Sequence, residues 1–218
     1  MKKRHLFLQN TLQRWLPSQN EWSLLVAIVV ALAFTAIVDT NHTYFFRPLE
    51  SLRDIARNSA MLGIFALGAA VVIIAGGIDL SSGSMIALSG TVCSVTMLAL
   101  APTEMMAFQP VGWVVVLIAI LASLMTGFFV GTLHTWLITV IRLPPFVATL
   151  ATLVGLRSFA RALCESSTAV LTPTKSAVIN VADPVFKTVR DNVWFSVGAF
   201  LVLACITWLL LSRTVLGR

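Results

Sequence analysis

The polar residues with the potential for chemistry are concentrated in one short segment between two apolar runs. Residues 76–84 read GGIDLSSGS and combine a double glycine, the acid Asp79 and three serines. One interpretation is a tight turn, in which the glycines end one helix and Asp79, Ser81 or Ser82 caps the next by accepting backbone N–H bonds. The other is a broken helix that lines a polar path, because irregular backbone survives at membrane depth only where protein or water satisfies it.

Two further sets of polar residues lie inside apolar stretches. Arg157, Arg161 and Glu165 follow one another at i, i+4 and i+8, so they share a helix face. This spacing predicts an ion-paired face near a membrane boundary, with a substrate-contacting cluster as the alternative. His134 stands alone in an uncharged run, and we interpret it as a hydrogen-bonded neutral histidine near a helix end.

No pattern of residues indicates an enzyme. The sequence has no nucleophile with a base and an orienting group, no phosphate loop and no carboxylate pair at hydrolytic spacing. The cysteines Cys93, Cys164 and Cys205 have neither CxxC nor Cys/His ligand spacing, so we expect no metal site and no disulfide framework.

The composition excludes a water-soluble domain. The 218 residues are 58% hydrophobic and only 11% charged, and the mean hydropathy is +0.92, whereas soluble domains run at about 45 to 50% apolar and about 25% charged. The net charge of +6 comes from basic residues scattered between uncharged runs. These residues serve membrane topology, so we expect no nucleic acid as a partner.

The elements that must position these residues are membrane-spanning helices. We predict an all-α polytopic integral membrane protein with about six transmembrane helices, because a hydrocarbon core about 30 Å thick needs roughly 20 apolar residues per helix. The predicted spans lie near residues 22–38, 59–78, 84–101, 111–135, 145–163 and 193–211. Residues 1–21 form a cytoplasmic N-terminal segment, 22–212 the membrane domain, and 213–218 the start of a cytoplasmic region. Basic residues before the first span place the N-terminus inside.

Two sequence features predict how these helices meet. Ala119, Ser123, Gly127, Gly131 and Thr135 recur at every fourth residue along the fourth span and form a small-residue stripe. Such stripes favour close helix packing, and we name Ser123, Gly127 and Gly131 as packing residues. The two consecutive prolines Pro144 and Pro145 force a break between the fourth and fifth spans, since proline lacks the backbone N–H.

Three motifs give the chain a resemblance to a known family. Residues 75–84 (AGGIDLSSGS), residues 143–152 (LPPFVATLAT) with Arg157 downstream, and residues 213–218 (RTVLGR) occur in the order and at roughly the spacing found in that family. They resemble the inner-membrane permeases of bacterial ABC sugar importers of the ribose, xylose and galactose type, within the branched-chain-permease superfamily. The similarity covers most of residues 58–218.

The resemblance implies a role for individual residues. The positions that match the family motifs, as candidates for the translocation path, are Gly76, Gly77, Asp79, Ser81, Gly83, Ser84, Pro144, Pro145, Phe146, Thr149, Thr152 and Arg157. Gly217 and Arg218 match the edge of the region that couples to the ATPase. Ala151 stands where the family commonly has glycine, and residues 164–172 lack the family's glycine pair.

The resemblance also implies a function and partners. It predicts a multi-pass inner-membrane subunit that passes a monosaccharide inward by alternating access. The implied partners are a cytoplasmic ABC ATPase that binds the ATP, a periplasmic sugar-binding protein, a second permease copy and the lipid bilayer. The permease itself would hold no cofactor and catalyse no bond chemistry.

Two alternatives from other classes stay open. One is an ion- or proton-coupled carrier that uses Asp79, His134 or Glu165, and the other is a membrane scaffold without a path of its own. Because family members continue for roughly a hundred residues beyond the last motif, we also expect this chain to be a fragment of a longer permease.

Overall fold

The computed structural model describes residues 19–38, 46–172 and 176–214, and this part of the chain contains helices and no strands. The predicted all-α class is confirmed. The helices of the described residues are α1 (Gln19–Val38), α2 (Pro48–Ile74), α3 (Ser82–Leu100), α4 (Pro102–Met106), α5 (Trp113–Thr139), α6 (Pro145–Leu171), α7 (Pro184–Asp191) and α8 (Val193–Arg213).

Five of these helices, α2, α3, α5, α6 and α8, are long and apolar enough to cross a membrane, and the apolar part of α1, Trp22–Val38, is shorter. Each of the six predicted ranges contains helix, and the prediction of a polytopic membrane protein is confirmed. Helix α2, which contains the second predicted span, ends at Ile74 instead of residue 78. Helix α6, which contains the fifth predicted span, continues to Leu171 instead of residue 163. The boundaries of the membrane domain and its flanking segments stay predictions.

The chain forms two compact units, Met1–Ile55 and Ala56–Arg218. In the first unit, the described side chains of α1 are exposed along almost the whole helix. The Thr35 hydroxyl donates a hydrogen bond to the Ala31 carbonyl oxygen at 2.9 Å, which satisfies it inside an apolar helix. An apolar helix that exposes nearly all of its side chains suits contact with lipid.

In the second unit, α3 is the central helix and packs along both α5 and α6. The core is small, and Met97 of α3 and Ala119 of α5 are completely buried in it. Most large apolar side chains of this unit point outward, such as Leu124 at 65% exposure. This distribution is the reverse of a soluble domain and is what a lipid solvent allows.

Helices α2 and α8 meet at a glycine. A Cβ atom at Gly63 would lie 2.6 Å from Cε2 of Phe200, so the aromatic ring of α8 occupies the space that any larger residue of α2 would need. Nearby, the Arg57 guanidinium donates a hydrogen bond to the carbonyl oxygen of Arg190 at 3.2 Å, near the end of α7.

A buried aspartate fastens the loop before α5. Asp183 is 2% exposed; its Oδ2 accepts the Val111 N–H at 2.9 Å and its Oδ1 accepts the Val185 N–H at 2.9 Å. The second bond caps the N-terminus of α7. The sequence does not predict this role, because the partner Val111 is 72 positions away from Asp183.

Candidate functional site

The site begins where α2 ends. Gly76 has φ +80°, its N–H donates to the Ile73 carbonyl oxygen at 2.9 Å, and the Gly77 N–H donates to the Val72 carbonyl oxygen at 2.9 Å. This pair of bonds is a Schellman motif, in which glycine adopts the left-handed conformation without a Cβ clash. The predicted role of the glycines in ending the helix is confirmed.

Asp79 organises the turn into α3. Its Oδ1 accepts the Ser81 N–H at 2.7 Å and the Ser81 hydroxyl at 2.6 Å, and its Oδ2 accepts the Ser82 hydroxyl at 2.8 Å. The capping role expected for this segment therefore belongs to the Asp79 carboxylate. Of the three candidates named from the sequence, Asp79 is the one that accepts a backbone N–H, whereas Ser81, the N-cap residue, makes no side-chain cap bond and donates its hydroxyl to Asp79.

The carboxylate of Asp79 is held in its charged form. Partial burial raises the pKa of Asp79, but the hydrogen bonds from Ser81 and Ser82 outweigh this effect, so the pKa lies below its usual value. His134 adds a smaller electrostatic contribution in the same direction. At neutral pH this group is therefore an anion fixed by hydroxyl and amide donors, and it is not poised to exchange protons.

The opposite wall of the site comes from α6. Thr149, 3% exposed, donates its hydroxyl to the Pro145 carbonyl oxygen at 2.9 Å and approaches the Ile78 carbonyl oxygen at 3.2 Å. The second contact connects α6 to the turn that precedes Asp79. Pro144 lies at the N-cap position of α6, where its lack of an N–H leaves no additional donor unsatisfied.

His134 joins α5 to α6. Its Nε2 lies 2.7 Å from the Thr152 hydroxyl oxygen, and that hydroxyl also lies 3.0 Å from the Ala148 carbonyl oxygen. A hydroxyl has one hydrogen, so when it donates to the carbonyl, the imidazole Nε2 carries the proton and donates to Thr152. The interpretation of His134 as a hydrogen-bonded histidine is confirmed, with 8% exposure.

These elements enclose a cavity of about 450 Å³ at the end of the bundle where α2 and α5 end and α3 and α6 begin. Five of the family-motif candidates line it: Gly76, Gly77, Asp79, Pro145 and Thr149. Its volume lies within the range of about 300 to 1,000 Å³ typical of small-molecule sites. Its walls are mostly apolar, and a few polar groups, notably Asp79 and His134, converge on it.

The other candidates lie around the cavity or away from it. Ser81 and Ser84 are buried in the turn, and Pro144 precedes α6. Thr152 does not line the cavity, but its hydroxyl contacts His134, which does. Gly83 faces open space, and Phe146 and Arg157 are exposed on α6. Gly217 and Arg218 lie outside the described residues. The roles of all these residues stay predictions.

The small-residue stripe differs from expectation. A Cβ atom at Gly127 or Gly131 would meet no atom within 4 Å, so no described helix approaches these glycines closely, and Ser123 is only half-buried. The predicted close packing is absent from the described chain at these glycines. Within the stripe, Ala119 is completely buried in the core that α3 and α5 share, whereas Gly131 and Thr135 line the cavity.

The charged face of α6 is paired only in part. Arg161 Nε lies 2.8 Å from Glu165 Oε1, as the spacing predicts. Arg157 is exposed and makes no ion pair or hydrogen bond in the described part of the chain. The expected ion-paired face therefore includes two of its three members.

The way α5 lines the cavity was not predicted from the sequence, although His134 was interpreted as a hydrogen-bonded histidine and Thr135 as part of the small-residue stripe. His134, Thr135, Ile138 and Thr139 form its α5 wall. Ile138 lies four residues after His134, and Thr139 lies four residues after Thr135, so these side chains share one helix face. This spacing was the indication in the sequence that they could line one site. That they face the turn around Asp79, and not lipid, depends on tertiary packing that no local pattern encodes.

Fold and site together define a multi-pass α-helical membrane protein with a mostly apolar cavity, lined by a few polar groups, at one end of its helix bundle. A family model described as "Branched-chain amino acid transport system / permease component" matches residues 51–218. The chain belongs to this permease family, and the family resemblance of its motifs is confirmed.

The relatives of the chain are named as permease proteins of transport systems. It is 25% identical over 185 residues to the xylose transport system permease protein XylH of Escherichia coli (strain K12), covering 85% of this chain and 42% of the relative. It is 29% identical over 204 residues to the galactofuranose transporter permease protein YtfT of the same strain, covering 89% and 50%.

A third relative is the autoinducer 2 import system permease protein LsrC of Yersinia pseudotuberculosis (serotype O:1b, strain IP 31758), 30% identical over 206 residues, covering 94% of this chain and 52% of the relative. The chain thus spans about half the length of these curated relatives. No solved structure matches it significantly.

Proposed function

We propose that the chain is a transport subunit of an ATP-driven importer and that it helps to carry a monosaccharide across the cytoplasmic membrane by alternating access. The observation that carries the proposal is the cavity, in which residues of two family motifs, Asp79 and Thr149, converge from different helices. The names of the relatives support a small polyhydroxylated substrate.

The chemistry of Asp79 favours this function over an ion-coupled carrier. A coupling carboxylate must exchange a proton or release an ion during each cycle. Asp79 is instead engaged by three donors from Ser81 and Ser82, which lower its pKa. We infer that it fixes the turn that forms one wall of the path and takes no part in coupling.

Orientation follows from the basic residues. An N-terminus in the cytoplasm places Lys2, Lys3 and Arg4 inside. With six crossings, the connections that hold Asp79 and Arg142 then lie on the cytoplasmic side, and the loops around Phe108 and Asp183 lie on the outer side. In this orientation the cavity is the inward-facing part of the path.

Arg157 supports a polar path along α6. It is the thirteenth residue of a 27-residue helix and is exposed without a partner in the described chain. A guanidinium that faces lipid near the centre of a span costs about 3 kcal/mol or more. We infer that this face of α6 is turned to the water-filled path and not to lipid.

The proposed partners follow from the same function. A cytoplasmic ABC ATPase would bind and hydrolyse ATP, a periplasmic binding protein would deliver the sugar, and a second permease copy would complete the path. The chain itself would then need no cofactor and would catalyse no bond cleavage. It would be located in the inner membrane.

The test is uptake of labelled D-xylose, D-ribose and D-galactose in the native organism with the gene deleted and then restored. ATP-driven import predicts that uptake needs the gene, is lost when arsenate lowers ATP, and survives a protonophore in cells that make ATP by glycolysis. Uptake that follows the ion gradient and ignores ATP would overturn the proposal in favour of a carrier. Unchanged uptake of all three sugars would reject monosaccharide import.

A matched pair of variants tests the cavity. Thr149→Val removes the hydroxyl that reaches the Ile78 carbonyl across the site, whereas Thr132→Val removes an exposed hydroxyl that bonds only the Phe128 carbonyl of its own helix. We expect uptake to fall about fivefold or more in the first variant and to stay near wild type in the second, at equal amounts of protein in the membrane.

A further inference from the structure

A second cavity lies at the other end of the same bundle. It has a volume of about 410 Å³, and its walls come from the end of α3, from α4, from the end of α6 and from residues 176–180. Four of its ten described lining residues are polar, among them Thr168 and Asn180, and Phe108 supplies an aromatic ring. Neither the family motifs nor the relatives' names assign this cavity a role.

Phe108 holds an unfavourable backbone conformation at this cavity. Its φ is +53°, and the Gln109 N–H donates to the Glu104 carbonyl oxygen at 2.9 Å, so a phenylalanine occupies the helix-ending position where glycine is usual. The left-handed conformation is unfavourable for a residue with a side chain, because its Cβ lies too close to the following carbonyl oxygen. Burial of the ring does not offset this cost, because Phe108 is 61% exposed.

The wall opposite α4 is fixed by hydrogen bonds. The Thr168 hydroxyl lies 2.7 Å from the Ser176 carbonyl oxygen, and the Ser176 N–H donates to the Thr168 hydroxyl oxygen at 3.0 Å. These bonds tie the segment that carries Asn180 to α6. The Asn180 side chain is exposed and makes no hydrogen bond in the described chain, so its amide is available to a ligand.

We propose that this cavity is a second sugar-binding site, in which one face of a monosaccharide stacks on the Phe108 ring while Asn180 hydrogen-bonds its hydroxyls. An aromatic face presents apolar surface to the C–H face of a sugar, and an amide offers both donors and an acceptor to adjacent hydroxyls. The choice of a sugar as the ligand rests on the proposed function. In the proposed orientation this site receives the substrate on the outer side before it reaches the Asp79 cavity.

The test is saturation-transfer NMR on the chain in lipid nanodiscs, with D-xylose, D-ribose and D-galactose as probes. Phe108→Tyr keeps the ring, whereas Phe108→Leu removes the ring and keeps the apolar surface. We expect the sugar signal to persist in the first variant and to fall about fivefold in the second. Phe128→Leu is the matched control, because Phe128 is 67% exposed on α5 and does not line this cavity, and it should leave the signal unchanged.

A stability measurement checks the backbone part of the argument. Phe108→Gly also removes the ring but relieves the left-handed strain, so its melting midpoint should exceed that of Phe108→Leu by about 2 to 8 °C. Its sugar signal should be as weak as that of Phe108→Leu.

Three outcomes overturn the second site: no signal from any of the three sugars with the wild-type chain, equal signals in wild type and Phe108→Leu, or equal losses in Phe108→Leu and Phe128→Leu. These outcomes are separate from those of the uptake experiment. Gene-dependent, ATP-driven uptake without a sugar signal would leave the importer standing and remove the site. A Phe108-dependent sugar signal together with uptake that does not depend on ATP would support the second site and reject the ATP-driven importer.

Discussion

The two hydrogen-bonded aspartates, Asp79 and Asp183, make a sharp prediction, because the same change to asparagine should affect them differently. At Asp183 both carboxylate oxygens accept backbone N–H groups, from Val111 and Val185. An asparagine has only one acceptor oxygen, so its NH₂ group must face an N–H donor that cannot reverse. At Asp79 one oxygen faces the Ser82 hydroxyl, which can rotate and accept from the amide.

The magnitude follows from the number of donors left without a partner. Asp183→Asn leaves one N–H unpaired in a site that is 2% exposed, which costs about 1 to 3 kcal/mol and lowers the melting midpoint by about 2 to 12 °C for a chain of this size. Asp79→Asn keeps every donor paired and loses only the contribution of charge, so we expect a decrease of about 1 to 3 °C.

The assay is the amount of monodisperse protein that remains after heating, measured by fluorescence-detected size-exclusion chromatography of detergent-purified variants. Both variants should elute as wild type before heating. Equal shifts for the two variants, or a larger shift for Asp79→Asn, would refute the donor-counting argument. Asp183→Ala should be at least as unstable as Asp183→Asn, since it removes both acceptors.

The remaining predictions concern two glycines and one titration. Gly63→Ala should destabilise the chain by about 1 to 3 kcal/mol, because its Cβ would lie 2.6 Å from the Phe200 ring; Gly68→Ala, which meets no atom within 4 Å, is the control, and equal midpoints would contradict the close contact. Gly76→Ala should cost about 1 to 2 kcal/mol against the same control, since its φ is +80°; a neutral result would rule out strain. Because the pKa of Asp79 is lowered by folding, its stabilising effect is present above about pH 4 and is lost as the pH falls through the folded-state pKa. The midpoint difference between wild type and Asp79→Asn should thus be constant from about pH 5.5 to about pH 8 and shrink below about pH 4, and a change near neutral pH would oppose this assignment.

Local chemistry made much of the fold predictable. The length of the apolar runs located the helices, and the glycines before Asp79 indicated where α2 ends, because a left-handed glycine acts within a few residues of its own position. The spacing of Arg161 and Glu165 predicted their ion pair for the same reason.

Features that depend on distant partners were not predictable. The stripe at Gly127 and Gly131 indicated close packing, but the sequence does not encode which side of α5 meets α3. Asp183 belongs to no local motif, and its hydrogen bond to Val111 joins positions that are 72 residues apart. The contribution of His134 to the cavity likewise depends on the arrangement of α5 and α6.

The contrast between the two aspartates has a consequence for the order in which the protein is made. The bonds of Asp79 reach only residues two and three positions ahead, so this turn is complete almost as soon as the ribosome has added Ser82. The Val111 amide must wait for a residue 72 positions later, which at about 5 to 20 residues per second is an interval of roughly 4 to 14 s. During synthesis, therefore, the Asp79 turn has its bonding partners early, whereas the Val111 amide lacks its carboxylate partner until Asp183 has been added.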